Sequence, residues 1–159
     1  MRSRIIIVFV VVALFTAIFA IPKSSVSANN EFLQAASTCK DSKLITTVGT
    51  DLQANFGAMK DIDKADADKL VALISAQRDL RQKYEDMDLP TDQACSDLLY
   101  YVVVTEASTS DLLVMLLEAK QNLVKDKDSF VKDLDKQSKR FQKNLNDLAV
   151  TVGVATPTP

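Results

Sequence analysis

Apolar residues recur along the chain at alternating three- and four-residue steps, a spacing typical of helices that bury one face. The first predicted helix lies within residues 31–60, and Asp41 or Ser42 is suited to cap it if it begins after Cys39. Its apolar face is formed by Leu44, Ile45, Val48, Leu52, Phe56 and Met59. We interpret residues 61–63 as a short connection to the next helix.

The second predicted helix covers about residues 64–87. Asp66 and Asp68 lie in its first turn, where negative charge complements the helix dipole. The helix ends before Pro90, because the residue that precedes a proline avoids helical backbone angles. Its apolar face contains Leu70, Leu73, Ile74, Leu80, Tyr84 and Met87.

The third predicted helix begins near Thr91 and is apolar around much of its circumference. Residues 105–111 are polar and small, so the segment is either one continuous helix with a polar layer or two helices broken near Ser108–Ser110. Residues 100–105 are aromatic and β-branched and resemble a strand locally. A helix is favoured because no partner strand is predicted. The apolar positions are Cys95, Leu98, Leu99, Val102, Val103, Leu112, Leu113, Leu116 and Leu117.

The fourth predicted helix covers about residues 127–151 and carries a heptad pattern of the kind found in coiled coils. Gly153 follows as a stop signal, and residues 153–159 are predicted to be a disordered tail. Ser138 fills the one polar gap in the pattern, which is otherwise formed by Val131, Leu134, Phe141, Leu145, Leu148 and Val152.

Four amphipathic helices with short connections predict an all-α domain over residues 29–152, an antiparallel four-helix bundle. The chain has only three glycines and four prolines, which agrees with few turns and long helices. In this topology the first and third helices run parallel. Cys39 and Cys95 then lie at the same end of the bundle.

The N-terminal segment has the three-part layout of a secretory signal. Arg2 and Arg4 give a positive start, residues 5–21 are almost entirely apolar, and after Pro22 and Lys23 short side chains follow over residues 24–28. We therefore predict a signal peptide over residues 1–28, cleaved between Ala28 and Asn29.

An uncleaved membrane anchor is the alternative interpretation of the same segment. Its apolar run is slightly shorter than the roughly 20 residues that a spanning helix needs. The two arginines would keep the N-terminus inside, so the domain would still lie outside the cytoplasm. Either way we expect a secreted, periplasmic or otherwise extracytoplasmic domain, with membrane contact only through this segment if it is retained.

The two cysteines of the chain, Cys39 and Cys95, both follow the predicted signal. In an oxidising compartment an even number of cysteines indicates a disulfide, and these two allow a single internal pairing. Two buried free thiols are the alternative.

Charge restricts the possible partners. The chain has a formal net charge of −2, although residues 1–28 contain three basic residues and no acidic one. The predicted mature domain is therefore clearly acidic, which disfavours binding to nucleic acid and to anionic lipid.

The chain contains no histidine. This removes the usual general base, the Ser-His and Cys-His nucleophile arrangements and most metal sites. Two Ser-x-x-Lys matches, Ser37 with Lys40 and Ser129 with Lys132, lack the companion motifs of acyl enzymes. We predict no catalytic residue and no enzyme activity.

Four aspartates, Asp61, Asp63, Asp66 and Asp68, form the densest carboxylate cluster. A calcium loop would need a central glycine, a closing glutamate and regular spacing, and all three are missing. We interpret the cluster as a charged turn and helix start, and we predict no metal or cofactor.

The predicted function is macromolecular interaction by an exported, non-enzymatic helical bundle, through an unknown protein partner or self-association. The candidate surface lies on the third helix and comprises Tyr100, Tyr101, Val104, Leu112 and Met115. One alternative is a carrier that holds a small apolar ligand between helices near Tyr84, Tyr100 and Tyr101. Another is a membrane-tethered surface protein.

Overall fold

The computed structural model describes residues 39–151, which form four α-helices and one short 3-10 turn. Helix α1 spans Ser42–Ala58, α2 spans Ala67–Glu85, α3 spans Gln93–Lys120 and α4 spans Lys127–Thr151, with the turn Ile62–Lys64 between α1 and α2. No strand occurs in this part of the chain, and the predicted all-α four-helix fold is confirmed. The predicted signal peptide, the cleavage site between Ala28 and Asn29, and the tail lie outside the described residues.

An aspartate begins each of the four helices. The backbone N–H groups of Lys43 and Leu44 both donate to the Asp41 carboxylate at 3.0 Å. Such a carboxylate satisfies amides that have no partner within the helix, and its charge complements the helix dipole. Helix α3, predicted to begin near Thr91, is capped by Asp92, whose carboxylate accepts a hydrogen bond from the Cys95 N–H at 3.1 Å. The caps of α2 and α4 are Asp66 and Asp126.

Helix α3 is continuous across its polar segment, which decides between the two alternatives left open by the sequence. The hydroxyls of Ser108 and Thr109 donate to the main-chain carbonyl of Thr105 at 2.9 and 2.8 Å. Because these hydroxyls are satisfied within their own helix, the segment does not need to break. Neither α3 nor any other helix within residues 39–151 is long and apolar enough to cross a membrane.

Contacts between helix ends establish the antiparallel arrangement. The Lys120 ammonium, at the end of α3, donates to the carbonyls of Asp63 and Ala65 just before α2 begins. In the second half of α4, the Asn144 amide donates to the Val104 carbonyl in the first half of α3 at 3.0 Å. Helix α3 therefore runs antiparallel to both α2 and α4, and it packs closely against both.

The core consists of two apolar clusters at opposite ends of the bundle. One gathers the end of α1, the start of α2, the end of α3 and the start of α4 around Leu70, Leu113 and Phe141. The other surrounds the two cysteines and contains Leu44, Leu98 and Leu148 among others. Six buried polar residues of α1, α2 and α3 belong to neither cluster, and three of them, one from each helix, are joined by side-chain hydrogen bonds.

The predicted apolar face of α4 is wrong at its first position. Val131 is 46% exposed, whereas Phe130 is only 8% exposed and packs in the same cluster as Leu116 and Ala119. Phe130 precedes Leu134 by four residues, so the two side chains share one face of the helix. The larger aromatic ring buries more apolar surface than valine in that place.

Substitutions at these two adjacent positions should differ sharply in effect. We expect Phe130→Ala to lower the free energy of unfolding by about 3 kcal/mol, because it removes a buried ring and leaves a cavity. Val131→Ala should change it by less than about 0.5 kcal/mol, as is usual for exposed positions. Urea unfolding of both variants measures the difference, and equal losses would contradict the assignment of the buried face.

Candidate functional site

A disulfide joins Cys39, just before α1, to Cys95 in the first turn of α3. The S–S distance is 2.05 Å, the Cα atoms lie 4.6 Å apart, and both residues are buried. The predicted pairing is therefore present, at the end of the bundle where the starts of α1 and α3 meet. Disulfides of this kind persist in oxidising compartments, which favours an extracytoplasmic location.

Two adjacent tyrosines of α3 lie near the disulfide end of the bundle. Tyr100 is 61% exposed, whereas Tyr101 is half-buried against the cysteine-containing cluster. Their ring centroids are 5.3 Å apart and the rings meet edge to face. On α4, the hydrogen bond and charge of Asp147 raise the pKa of Lys143, and smaller contributions come from Tyr101 and Tyr100.

The five predicted surface residues fall into two groups. Tyr100 is exposed, and Tyr101, Val104 and Met115 are half-buried. Leu112 is 1% exposed and belongs to the core instead. Its position on α3 turns it inward, between α3 and its neighbours, so it is unable to contribute to a contact surface.

The outward side of α3 carries a line of residues that the sequence did not single out as a set. All six are at least partly exposed and follow one another at steps of three and four residues, which aligns them on one side of the helix over about 26 Å. This α3 stripe consists of Tyr100, Val103, Ala107, Ser110, Val114 and Leu117. The three- and four-residue spacing is present in the sequence. Because α3 is apolar on most sides, however, only the exposure of its residues in the structure distinguishes the stripe from the core-facing positions.

A polar cluster is buried where α1, α2 and α3 meet. Its members are Asn55, Gln77 and Glu106, and the last two have no exposed surface. The Asn55 amide donates to Gln77 Oε1 at 2.9 Å and to Glu106 Oε2 at 2.6 Å, and the Gln77 amide donates back to Asn55 Oδ1. These hydrogen bonds connect three helices through side chains alone.

Glu106 is the one carboxyl group in this cluster. Burial raises the pKa of Glu106 to about 8, against the lowering effect of the Asn55 hydrogen bond, and the nearby charge of Asp51 raises it further. Its Oε1 atom has no hydrogen-bond partner among the described residues. The cluster therefore favours the neutral acid in the folded state at neutral pH.

Next to this cluster, Tyr84 of α2 donates a hydrogen bond from its hydroxyl to Asp51 Oδ2 of α1 at 2.6 Å. Burial, followed by the hydrogen bond and charge of Asp51, raises the pKa of Tyr84. Lys83 also binds Asp51 and lies 5.5 Å from the centre of the Tyr84 ring. Tyr84 is thus held inside the bundle whereas Tyr100 faces solvent, so the tyrosines of the carrier hypothesis do not surround one interior space.

Two of the four clustered aspartates have local structural partners, and one of the two Ser-x-x-Lys matches, Ser37 with Lys40, begins outside the described residues. Asp61 forms an exposed ion pair with Lys64 at 3.0 Å, and Asp66 caps α2 through the Lys69 N–H. Ser129 and Lys132 are both exposed on the first turns of α4. Within the described part of the chain, no group of three or more Cys, Asp or Glu residues could hold a metal ion.

No protein-family model, curated protein or solved structure matches this chain. Function must therefore be inferred from the side chains. Two features of the described residues are candidates for a functional role: the partly exposed, mostly apolar α3 stripe and the buried polar cluster. The α3 stripe is accessible to a macromolecule, whereas the polar cluster is enclosed by the helices.

Proposed function

We propose that this protein is an exported, non-enzymatic helical domain that binds another macromolecule through the α3 stripe. The observation that carries the proposal is Tyr100, an aromatic side chain that is 61% exposed at one end of a line of partly exposed, mostly apolar residues. Tyrosine is enriched among the residues that dominate binding energy at protein interfaces. Because a tyrosine side chain has only two torsion angles, it loses little conformational entropy when it is immobilised at an interface.

The composition of the α3 stripe supports this role. Val103, Val114 and Leu117 contact the two core clusters with part of their surface and present the rest to solvent. Around them, the exposed faces of α2 and α4 are rich in charged side chains. A contiguous apolar surface with a polar rim is the usual anatomy of a protein-binding site.

Two observations support an extracytoplasmic site of action. The Cys39–Cys95 disulfide is of a type maintained in oxidising compartments. The first 28 residues have the charge and hydropathy layout of a secretory signal. Retention of this segment would make the protein a membrane-tethered form of the same binding domain.

A pull-down from the native extracellular or periplasmic fraction tests the proposal. We expect the exported protein to capture a defined partner and Tyr100→Ala to reduce the captured amount at least tenfold, a loss of about 1.4 kcal/mol or more. Val71→Ala is the matched control, because Val71 is 52% exposed on α2 and lies outside the α3 stripe. Equal capture by all three proteins would overturn the proposed surface.

A further inference from the structure

We propose that the occupant of the α3 stripe is an amphipathic helix of another protein, with basic residues beside its apolar face. This inference rests on the proposed function of the α3 stripe as a binding surface, and it adds the chemistry of the partner. It is carried by two independent features of α3, namely the spacing of the stripe and the charge along one of its edges.

The spacing fits a helix in shape. From Tyr100 to Leu117 the steps are three, four, three, four and three residues, the a and d positions of a heptad repeat. A partner helix with the same repeat can insert its side chains between these positions over about five turns. Ala107 and Ser110 lie at the centre, and their small side chains allow the partner backbone to approach closely.

The charge along the stripe indicates a basic partner. Asp97, Asp111 and Glu118 are separated by multiples of seven residues, so they line one edge of the stripe. Each follows by one residue a position of the series 96, 103, 110 and 117, which is one of the two seven-residue series that form the stripe. On the other edge Leu99, Glu106 and Leu113 turn into the bundle and are buried. The solvent-facing edge of the stripe on α3 itself is therefore acidic.

Neighbouring cations only partly neutralise this acidic edge. Arg140 of α4 approaches Asp111 at 3.5 Å, and Lys143 is paired with Asp147 on its own helix. Within residues 39–151, Asp97 accepts a hydrogen bond from Gln93, and neither it nor Glu118 forms an ion pair. These two carboxylates, about 31 Å apart along the helix axis, are available to lysine or arginine side chains at both ends of a bound helix.

The same edge disfavours two other occupants. A phosphate-rich polymer or an anionic membrane would meet carboxylates beside the apolar stripe. A second copy of this chain in antiparallel pairing would bring two acidic edges together, which costs free energy. A basic amphipathic helix is the occupant that satisfies both the apolar surface and the charge.

Two labelled synthetic peptides test the proposal on the exported, disulfide-bonded protein. Both carry about three heptads with leucine and alanine at the inner positions, and they differ only in having lysine or glutamate at the flanking positions. We expect fluorescence anisotropy to show at least tenfold tighter binding of the lysine peptide. We also expect the double variant Asp97→Asn/Glu118→Gln to weaken that binding at least fivefold and to reduce its dependence on salt.

Matched variants separate surface effects from folding effects. Asp128→Asn/Asp133→Asn removes two exposed carboxylates from α4 and should leave peptide affinity unchanged. Ala107→Trp should block the stripe and abolish binding, and Ala107→Glu serves the same purpose if the larger ring disturbs folding. Circular dichroism and thermal unfolding of every variant show whether the bundle is retained.

Three results would overturn the proposal. Equal binding of both peptides, or no effect of the Asp97→Asn/Glu118→Gln variant, would exclude a basic helical partner. Light scattering that shows a dimer abolished by Ala107→Trp would identify a second copy as the occupant. In each of the three cases, loss of the native partner by Tyr100→Ala would leave the proposed function intact, because that experiment makes no assumption about the chemistry of the partner.

Discussion

Removal of the disulfide should lower the free energy of unfolding by about 4 kcal/mol, the value expected from loop-closure entropy for two cysteines 56 residues apart. In a domain of this size such a loss corresponds to a fall in the melting temperature of about 15 to 20 °C. The effect should be large because the bond ties α1 to α3. Apolar side chains at the starts of the two helices, such as Leu44 and Leu98, share one cluster with the cysteines, and the bond adds a covalent constraint to that packing.

Thermal unfolding of the protein with and without reductant measures this effect, and a Cys39→Ala/Cys95→Ala variant gives the same comparison by mutation. Reductant should have no effect on the double variant, which controls for nonspecific action of the thiol reagent. A melting temperature of the variant within 3 °C of the parent, an interval well below the ~15 °C expected from the entropy model, would contradict a stabilising role for the bond.

Stability should also depend strongly on pH through Glu106. Its pKa is about 8 in the folded protein, compared with an ordinary value of 4.5. Between these two values the folded state retains a proton that the unfolded state has lost, so the free energy of unfolding decreases as pH rises. The stability associated with protonated Glu106 is fully present below pH 4.5 and is lost by about pH 8. Over this interval the free energy of unfolding falls by about 1.4 kcal/mol for each pH unit.

The variant Glu106→Gln isolates this contribution, because glutamine keeps the shape of the neutral acid and never ionises. We expect the unfolding free energy of the parent, relative to this variant, to fall by about 5 kcal/mol between pH 4.5 and pH 8. Glu118→Gln is the control, since Glu118 is exposed on the same helix. Parallel pH profiles for the parent and Glu106→Gln would show that Glu106 does not titrate as its burial implies.

The helices of this fold could be predicted from the sequence because each has a periodic apolar face and a cap. The α4 boundaries agree with the prediction, and α1 begins after one of the two predicted caps, Asp41. The Cys39–Cys95 pairing was predictable because the chain has only two cysteines and both follow a secretory signal, and the predicted topology, with parallel first and third helices, places both at one end of the bundle. These features depend on local spacing and on the order of the elements, which a single sequence contains.

The polar interior could not be predicted in the same way. Asn55, Gln77 and Glu106 are separated by 22 and 29 residues, and each alone is typical of a solvated helix surface. Only the rotation of three helices about their axes brings them together. The burial of Phe130 could not be predicted either. Phe130 and Val131 are adjacent apolar residues at the start of α4, and the sequence alone does not show which of them occupies the buried position.

The buried polar cluster also has a consequence for register. If α1 slid by one turn along α2 and α3, Asn55 would lose Gln77 and Glu106, and three polar side chains would be buried without partners. Each unsatisfied group would cost about 1 to 3 kcal/mol, whereas leucines slide past one another with a smaller penalty. The apolar clusters thus drive the association of the helices, and we expect the polar cluster to select one alignment among those that the leucines would tolerate.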